Sequence, residues 1–211
     1  MPIEKGAVKS AHDVDPTTLS VVWNRFEYIT NQIGEKVLNA TQSFVTAHVR
    51  DLGASMQDAR GRIVVASAHL PVHTLIAEIA MEGVIAKFGT DYKPGDFIIA
   101  NDPYIVKAGH LPDWSHIRPT FYKGELVGFL QYKTHVADTG GFLPGGYGPK
   151  AYDIIAEGLN IPPLKVIKAG VIDEDLWEFL LKNVRNPNQV EMDAMLINGA
   201  LTQAEEQITA L

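Results

Sequence analysis

Two extended runs, at residues 116–122 and 126–135, meet at Lys123-Gly124-Glu125. A connection that short leaves them only antiparallel pairing. A second pair is expected upstream, where two short strands between residues 52 and 65 flank Asp58-Ala59-Arg60-Gly61, with glycine at the position that tolerates positive φ. Phe97-Ile98-Ile99-Ala100 follows the Lys93-Pro94-Gly95-Asp96 turn and reads as a buried strand, and residues 165–167 as a short one. Pro119 removes a ladder donor, so its strand is expected to be an edge strand or bulged.

Helical spacing brackets these strands. Asp15-Pro16 supplies an N-cap with proline in the first turn, and Leu19, Val22, Trp23, Phe26, Ile29, Ile33 and Val37 then predict a core-facing helix to about residue 47. A second helix follows His69-Leu70-Pro71-Val72-His73, with Val72, Leu75, Ile76, Ile79, Ala80, Gly83, Val84 and Phe88 as its buried face. Asp173 caps a third through residue 185, with Leu176, Trp177, Leu180, Leu181 and Val184 inward. After Asn186-Pro187 a last helix carries Val190, Ala194, Ile197, Leu201, Ala204, Ile208 and Leu211 in steps of four and three, a stripe that asks for a partner surface. The fold class is therefore α+β, a mainly antiparallel sheet flanked by long N-terminal and C-terminal helices. Residues 1–14 read as a loose arm and 15–185 as one domain. Residues 186–211 read as a C-terminal helix that leads into further chain or onto a partner.

Composition narrows the chemistry. The net charge of −7 offers no basic stripe to phosphates, which argues against nucleic acid as a partner. Zero cysteines exclude a disulfide scaffold, a thiolate zinc site and a cysteine nucleophile. No apolar run approaches a membrane span, so no membrane partner is expected and the cytoplasm is the default.

Five of the seven histidines fall between His69 and His135. Residues 109–146 gather His110, Asp113, His116, His135 and Asp138 on two short extended segments ahead of a glycine-rich loop. A hairpin brings His110 and Asp113 against His135 and Asp138, a nitrogen and oxygen set suited to Zn²⁺, Mn²⁺ or Fe²⁺. In a regular strand His116 points away from Asp113, and Asp138 reaches the same ion only through a bend. The alternative is a polar network without an ion. Asn101-Asp102-Pro103-Tyr104 can order the backbone before His110. Asp51 reads as a solvated turn or capping carboxylate. His69 and His73, at a helix start, suit either an anion or a structural hydrogen bond.

Taken in order, DPTTLSVVWNRFE, RDLGASMQDARGRIV, AHLPVH, PGDFIIANDPY, HLPDWSHIRPTFYKGELVGFLQYKTHVADTGG, EGLNIPPLK and LLKNVRNPNQ resemble the hydantoinase B family. That family is shared by N-methylhydantoinases, 5-oxoprolinases and acetone and acetophenone carboxylases. The resemblance implies an ATP-dependent enzyme of two subunit types. In it an actin-like hydantoinase A-type partner binds Mg·ATP and phosphorylates a carbonyl or enolate oxygen. The hydantoinase B-type subunit then hosts hydrolysis of a lactam-type bond or carboxylation of a ketone with bicarbonate. Carried over from the manganese site of the carboxylase branch, the ligands are His110, Asp113 and His135. The ion is expected to be Mn or Zn. Asp138 and Asp51 match further polar positions and, with His73, form the candidate catalytic set.

Two departures qualify the match. Many hydantoinases carry paired histidines where this chain has His135-Val136, and THVADTG leans towards the carboxylase branch. Family members also continue well beyond this length, so the chain resembles their N-terminal portion, a fragment or a split subunit. No phosphate-cradling glycine loop followed by Lys-Ser/Thr occurs, and no nucleotide site is expected on this chain. A non-catalytic module that docks a kinase-like subunit is the competing class.

Overall fold

In a computed structural model, which describes residues 14–211, the expected hairpin is the centre of the molecule. Strand β4 (Asp113–Tyr122) pairs antiparallel with β5 (Glu125–His135) over their whole length, from Asp113 opposite His135 to Tyr122 opposite Glu125. Lys123 and Gly124 both have positive φ (51° and 85°), which matches a two-residue turn to the right-handed twist of its strands. Around this pair stand β1 (Leu52–Asp58), β2 (Ile63–Ala66), β3 (Phe97–Ala100), β6 (Leu164–Lys168) and β7 (Val171–Ile172). The sheet order is β2-β1-β5-β4-β3-β6-β7, with every neighbouring pair antiparallel. Together with the helices this is the expected α+β fold. The strand of Pro119 is interior rather than an edge, but β3 pairs only as far as Ile98 opposite Ile117, so Pro119 lies beyond its end. The register also shifts one residue later, between Thr120 and Phe121, as a bulge would require.

Strand parity sorts the two faces. Even-numbered Trp114, Leu130 and Tyr132, with Leu52, Phe97 and Ile99, join the larger apolar core beneath α1 (Pro16–Ala40) and α6 (Pro187–Thr209). On the odd-numbered face, Ile117 and Phe129 pack with α3 (Ala77–Phe88), while Ser55, Gln57, Ser115 and Gln131 form a buried hydrogen-bonded row beside them. Short α2 (Pro71–Leu75) lies directly on β1. A Cβ on Gly53 would stand 2.9 Å from both His73 Cβ and Thr74 Cγ2, closer than side-chain atoms pack.

The helices depart from expectation where side chains intervene. Helix α1 ends at Ala40, not near 47. Thr41 turns extended, and its hydroxyl donates to Asp193 on α6 at 2.7 Å and accepts from the Ser43 amide at 3.0 Å. A separate π-turn, Val45–Val49, follows. Ile29, Ile33 and Val37 are buried as expected, whereas Leu19 and Trp23 stand exposed. The second helix breaks at Ile76, and the interruption changes its phase: Ala77, Ala80, Met81 and Val84 face inward while Val72, Leu75 and Ile79 are exposed. Asp173 caps α5 (Glu174–Lys182) through the Leu176 amide, and that helix ends before residue 185.

The apolar stripe of α6 is buried within this chain, from Val190 through Ile208, against α1 and the sheet, and only its last member, Leu211, is exposed. Each of Val190, Ile197, Leu201 and Ile208 removed from water contributes about 1.5–3 kcal/mol. Arg118 reaches from β4 to Glu205 (2.6 Å) and Asn198 (3.4 Å) and fixes the helix on the sheet. The expected arm at 1–14 lies, but for Val14, outside the described residues. Among the described residues no helix is long and apolar enough to cross a membrane.

Candidate metal centre

Asp113, the first residue of β4, sits opposite His135, the last of β5. His110 reaches the same point from the loop before β4, which turns so that the Asp113 amide donates to the His110 carbonyl at 3.0 Å. Asn101, at the end of β3, holds this loop down: its side-chain amide donates to the Leu111 (2.5 Å) and Leu159 (2.8 Å) carbonyls, and its oxygen accepts the Ile161 amide (2.6 Å). The ordering role expected of 101–104 thus has a definite partner set. A buried asparagine satisfied on both sides makes a rigid platform.

Three donor atoms converge there. His110 Nε2 lies 3.0 Å from His135 Nδ1 and 3.1 Å from Asp113 Oδ1, and His135 Nδ1 lies 3.8 Å from Asp113 Oδ1. Bonds of about 2.1 Å at tetrahedral angles put ligand atoms about 3.4 Å apart. The three separations bracket that spacing, so the residues fit a small divalent ion with little movement. Two imidazole nitrogens face each other across 3.0 Å, a contact that only one proton can satisfy and that an ion would satisfy better. Burial would raise Asp113, but the hydrogen bond and charge of His110 hold its carboxyl below the usual range. His110 is raised in return, chiefly by that bond. Burial and then the neighbouring His110 hold His135 below the ordinary histidine range, although Asp113 and Asp51 pull the other way. His135 therefore favours the neutral form that ligates.

Asp51 and His73 stand beside this triad. The Asp51 carbonyl accepts from the Thr134 hydroxyl (2.7 Å) and the His135 amide (3.3 Å), which seats the residue against the end of β5. Its carboxylate meets His73 Nε2 at 2.5 Å. Both act on the triad through space: Asp51 raises His110 and His135, and His73 lowers Asp113. Asp51 is thus a partly buried hydrogen-bond partner of His73 rather than a solvated turn, and His73, on α2, meets it through Nε2 while its Nδ1 is buried without a partner. His69 instead meets Glu35 at 3.3 Å, and His116 lies on the opposite sheet face against Phe97. Asp138 also stands apart. It is buried and accepts from the Gly140 amide (3.0 Å), from Arg185 Nη1 (3.0 Å) and from the Arg185 amide.

Further residues complete the surroundings. Tyr147, on the glycine-rich loop, stacks on the His135 ring (centroids 5.2 Å apart, 9° between planes) and tilts over His110 at 5.8 Å. Gly146 brings this loop against the site, because a Cβ there would stand 2.3 Å from Pro112 Cγ and its φ is +67°. Lys133 is fully buried two residues before His135 on the same sheet face, and burial lowers its ammonium to about 8. Strand parity would have flagged Lys133. Nothing in a glycine loop could have flagged Tyr147.

A family model described as Hydantoinase B/oxoprolinase matches residues 15–211. The chain is 34% identical over 198 residues to caprolactamase subunit beta of Pseudomonas jessenii, covering 94% of this chain and 34% of that protein. It is 33% identical over 165 residues to 5-oxoprolinase of Saccharomyces cerevisiae, covering 78% of this chain and 13% of that one. The crystal structure of the ATP-dependent caprolactamase from Pseudomonas jessenii superposes with a TM-score of 0.86. A nucleotide-free acetone carboxylase structure superposes at 0.82 over 90% of this chain and 26% of that one; at 20% identity this is a likeness of fold. The chain thus spans about a third or less of the length of these relatives.

Proposed function

Because the chain belongs to the hydantoinase B/oxoprolinase family, we propose that it is the metal-bearing part of an ATP-dependent enzyme that opens a cyclic amide. It is related to subunits of ATP-dependent amidohydrolases and, in fold, to a carboxylase. The observation that carries the reading is the convergence of His110 Nε2, Asp113 Oδ1 and His135 Nδ1 within 4.8 Å of one another. A divalent ion held there, Mn²⁺ or Zn²⁺, supplies Lewis-acid activation of a carbonyl or a water. The triad leaves coordination positions open. The Asp51–His73 pair is the candidate proton-handling group: the Asp51 carboxylate beside the triad meets His73 Nε2 at 2.5 Å, so a proton can be shared between them. Tyr147 stacks on His135 and tilts over His110, which gives the site one aromatic wall.

In this proposal Mg·ATP binds a separate actin-like hydantoinase A-type subunit in the cytoplasm, and the remaining hydantoinase B-type chain completes the substrate chamber. Hydrolysis is favoured over ketone carboxylation with bicarbonate, because relatives above 30% identity are named for cyclic amides while the carboxylase likeness is one of fold. Elemental analysis of the native complex tests the core of the reading. One Mn or Zn per chain is expected, with occupancy strongly reduced in His135→Ala. Occupancy unchanged in that variant would refute the ligand assignment.

A further inference from the structure

Each imidazole of the triad turns one nitrogen toward the other donors and keeps a second one outward. For His110 the inner atom is Nε2 and the outer one Nδ1. For His135 the inner atom is Nδ1, and the outer Nε2 is buried and closes no hydrogen bond. Both outer nitrogens lie beside one short turn, Pro144–Gly146. A Cβ on Gly145 would stand 4.0 Å from His135 Nε2, and one on Gly146 would stand 3.7 Å from His110 Nδ1. The Gly145 backbone bears on His135 as an acceptor and pulls the imidazole upward against burial. Only its carbonyl can do so.

Glycine puts the turn there. Gly145 and Gly146 both have positive φ, 74° and 67°, so the chain reverses within two residues. Tyr147 comes next and is laid on the His135 ring with 9° between planes, while 67% of it stays exposed. The root of the segment is tied down. The Phe142 amide donates to the Ala156 carbonyl at 2.7 Å, and Arg185 Nη1 to the Gly140 carbonyl at 3.1 Å. A tyrosine this exposed adds little core; what it restrains is the plane in which His135 Nδ1 points at the triad. A ligating histidine generally donates its other N–H to a carbonyl or carboxylate, which fixes both tautomer and ring orientation. With its proton on Nε2 toward Gly145, His135 keeps the Nδ1 lone pair for an ion.

We propose that the turn from Pro144 to Tyr147 positions the metal ligands: Gly145 selects the tautomer of His135 that ligates, and the Tyr147 ring holds that imidazole in plane. The inference rests on the metal-bearing reading above and adds the residues that set its affinity. Losing an outer partner of this kind costs about 10–100-fold in metal affinity. Tyr147 acts by stacking alone and is largely exposed, so the lower end, about tenfold, is expected of it.

Chelator competition for Zn²⁺ on the native complex, with Co²⁺ as a spectroscopic probe of the same site, tests this. Tyr147→Ala is expected to bind Zn²⁺ about tenfold more weakly and to alter the visible Co²⁺ bands, with far-ultraviolet circular dichroism unchanged. Tyr147→Phe keeps the ring and should restore both affinity and bands. Native affinity and native bands in Tyr147→Ala would overturn the proposal and leave the ligand assignment standing. A Tyr147→Phe complex as weak as Tyr147→Ala would overturn it too, because the hydroxyl and not the ring would then carry the effect. A native complex that took up neither ion would instead remove the metal-bearing reading, and this inference with it.

Discussion

Asp138 is where a structural and a catalytic role separate most cleanly. Asp138→Asn keeps the volume and removes the charge. The carboxylate is 3% exposed and accepts three hydrogen bonds, from the Gly140 amide, the Arg185 amide and Arg185 Nη1. Hydrogen bonds to a charged acceptor contribute about 1.5–3 kcal/mol each. The Arg185 side chain is 45% exposed, so solvent screens its share. In the variant one acceptor oxygen remains, and the new NH₂ faces an existing N–H donor. A loss of about 2–4 kcal/mol follows from two weakened bonds and one opposed pair. Urea unfolding of the variant should show a lower midpoint with an unchanged slope. Metal content at saturating ion should stay near native, since Asp138 touches none of His110, Asp113 or His135. A native unfolding midpoint combined with collapsed turnover of the complex would refute this reasoning and return Asp138 to the chemistry.

Burial pushes His116 down to about 4 from 6.5, so its neutral form is the one the fold accepts. The unfolded chain takes up that proton first, and stability from this residue should therefore be full above pH 6.5 and fall by about 3 kcal/mol as pH drops to 4. Thermal unfolding of His116→Gln should show a shallower decline over that window, and an identical profile would remove His116 as its source. Gly146→Ala places a methyl against Pro112 at a positive φ, so the loop should lift from the triad: ion release should quicken several-fold while far-ultraviolet circular dichroism stays native. Release at the native rate would show that the loop does not cover the ion. Because the chain has no phosphate-cradling motif, titration with Mg·ATP should give no heat, and binding in the micromolar range would contradict the assignment of ATP to the partner.

The antiparallel hairpin and the α6 stripe were legible in the sequence because each is periodic and local. So was the cluster of His110, Asp113 and His135, but not its register: a two-residue turn at Lys123-Gly124 alone would set Asp113 opposite Thr134, and the bulge between Thr120 and Phe121 brings it opposite His135. The face of α3 was not legible: the break at Ile76 reset its phase, and close seating on the sheet favoured Ala77 and Ala80 over the larger Leu75 and Ile79. Trp23 looked like core because its spacing is helical, yet α1 carries it to an exposed stretch ahead of the buried Ile29. Asp138 and Asp51 were ambiguous for one reason. A carboxylate's role depends on which distant group faces it, and Arg185 and His73 are brought there by elements far away in the chain.

The division of the hairpin into an odd-numbered face that carries Asp113, Lys133 and His135 and an even-numbered one that carries Trp114 and Tyr132 restricts how the family can vary by insertion and deletion. A single residue gained or lost within β4 would turn Trp114 to the ligand side and Asp113 away from it, and one within β5 would do the same to Tyr132 and His135. Descendants of this hairpin can change length freely only at Lys123-Gly124, or in the strands by whole pairs of residues or at a bulge such as that beside Thr120. The spacing from Asp113 to His135 should therefore vary among relatives through the turn, while the strand lengths on either side keep their parity.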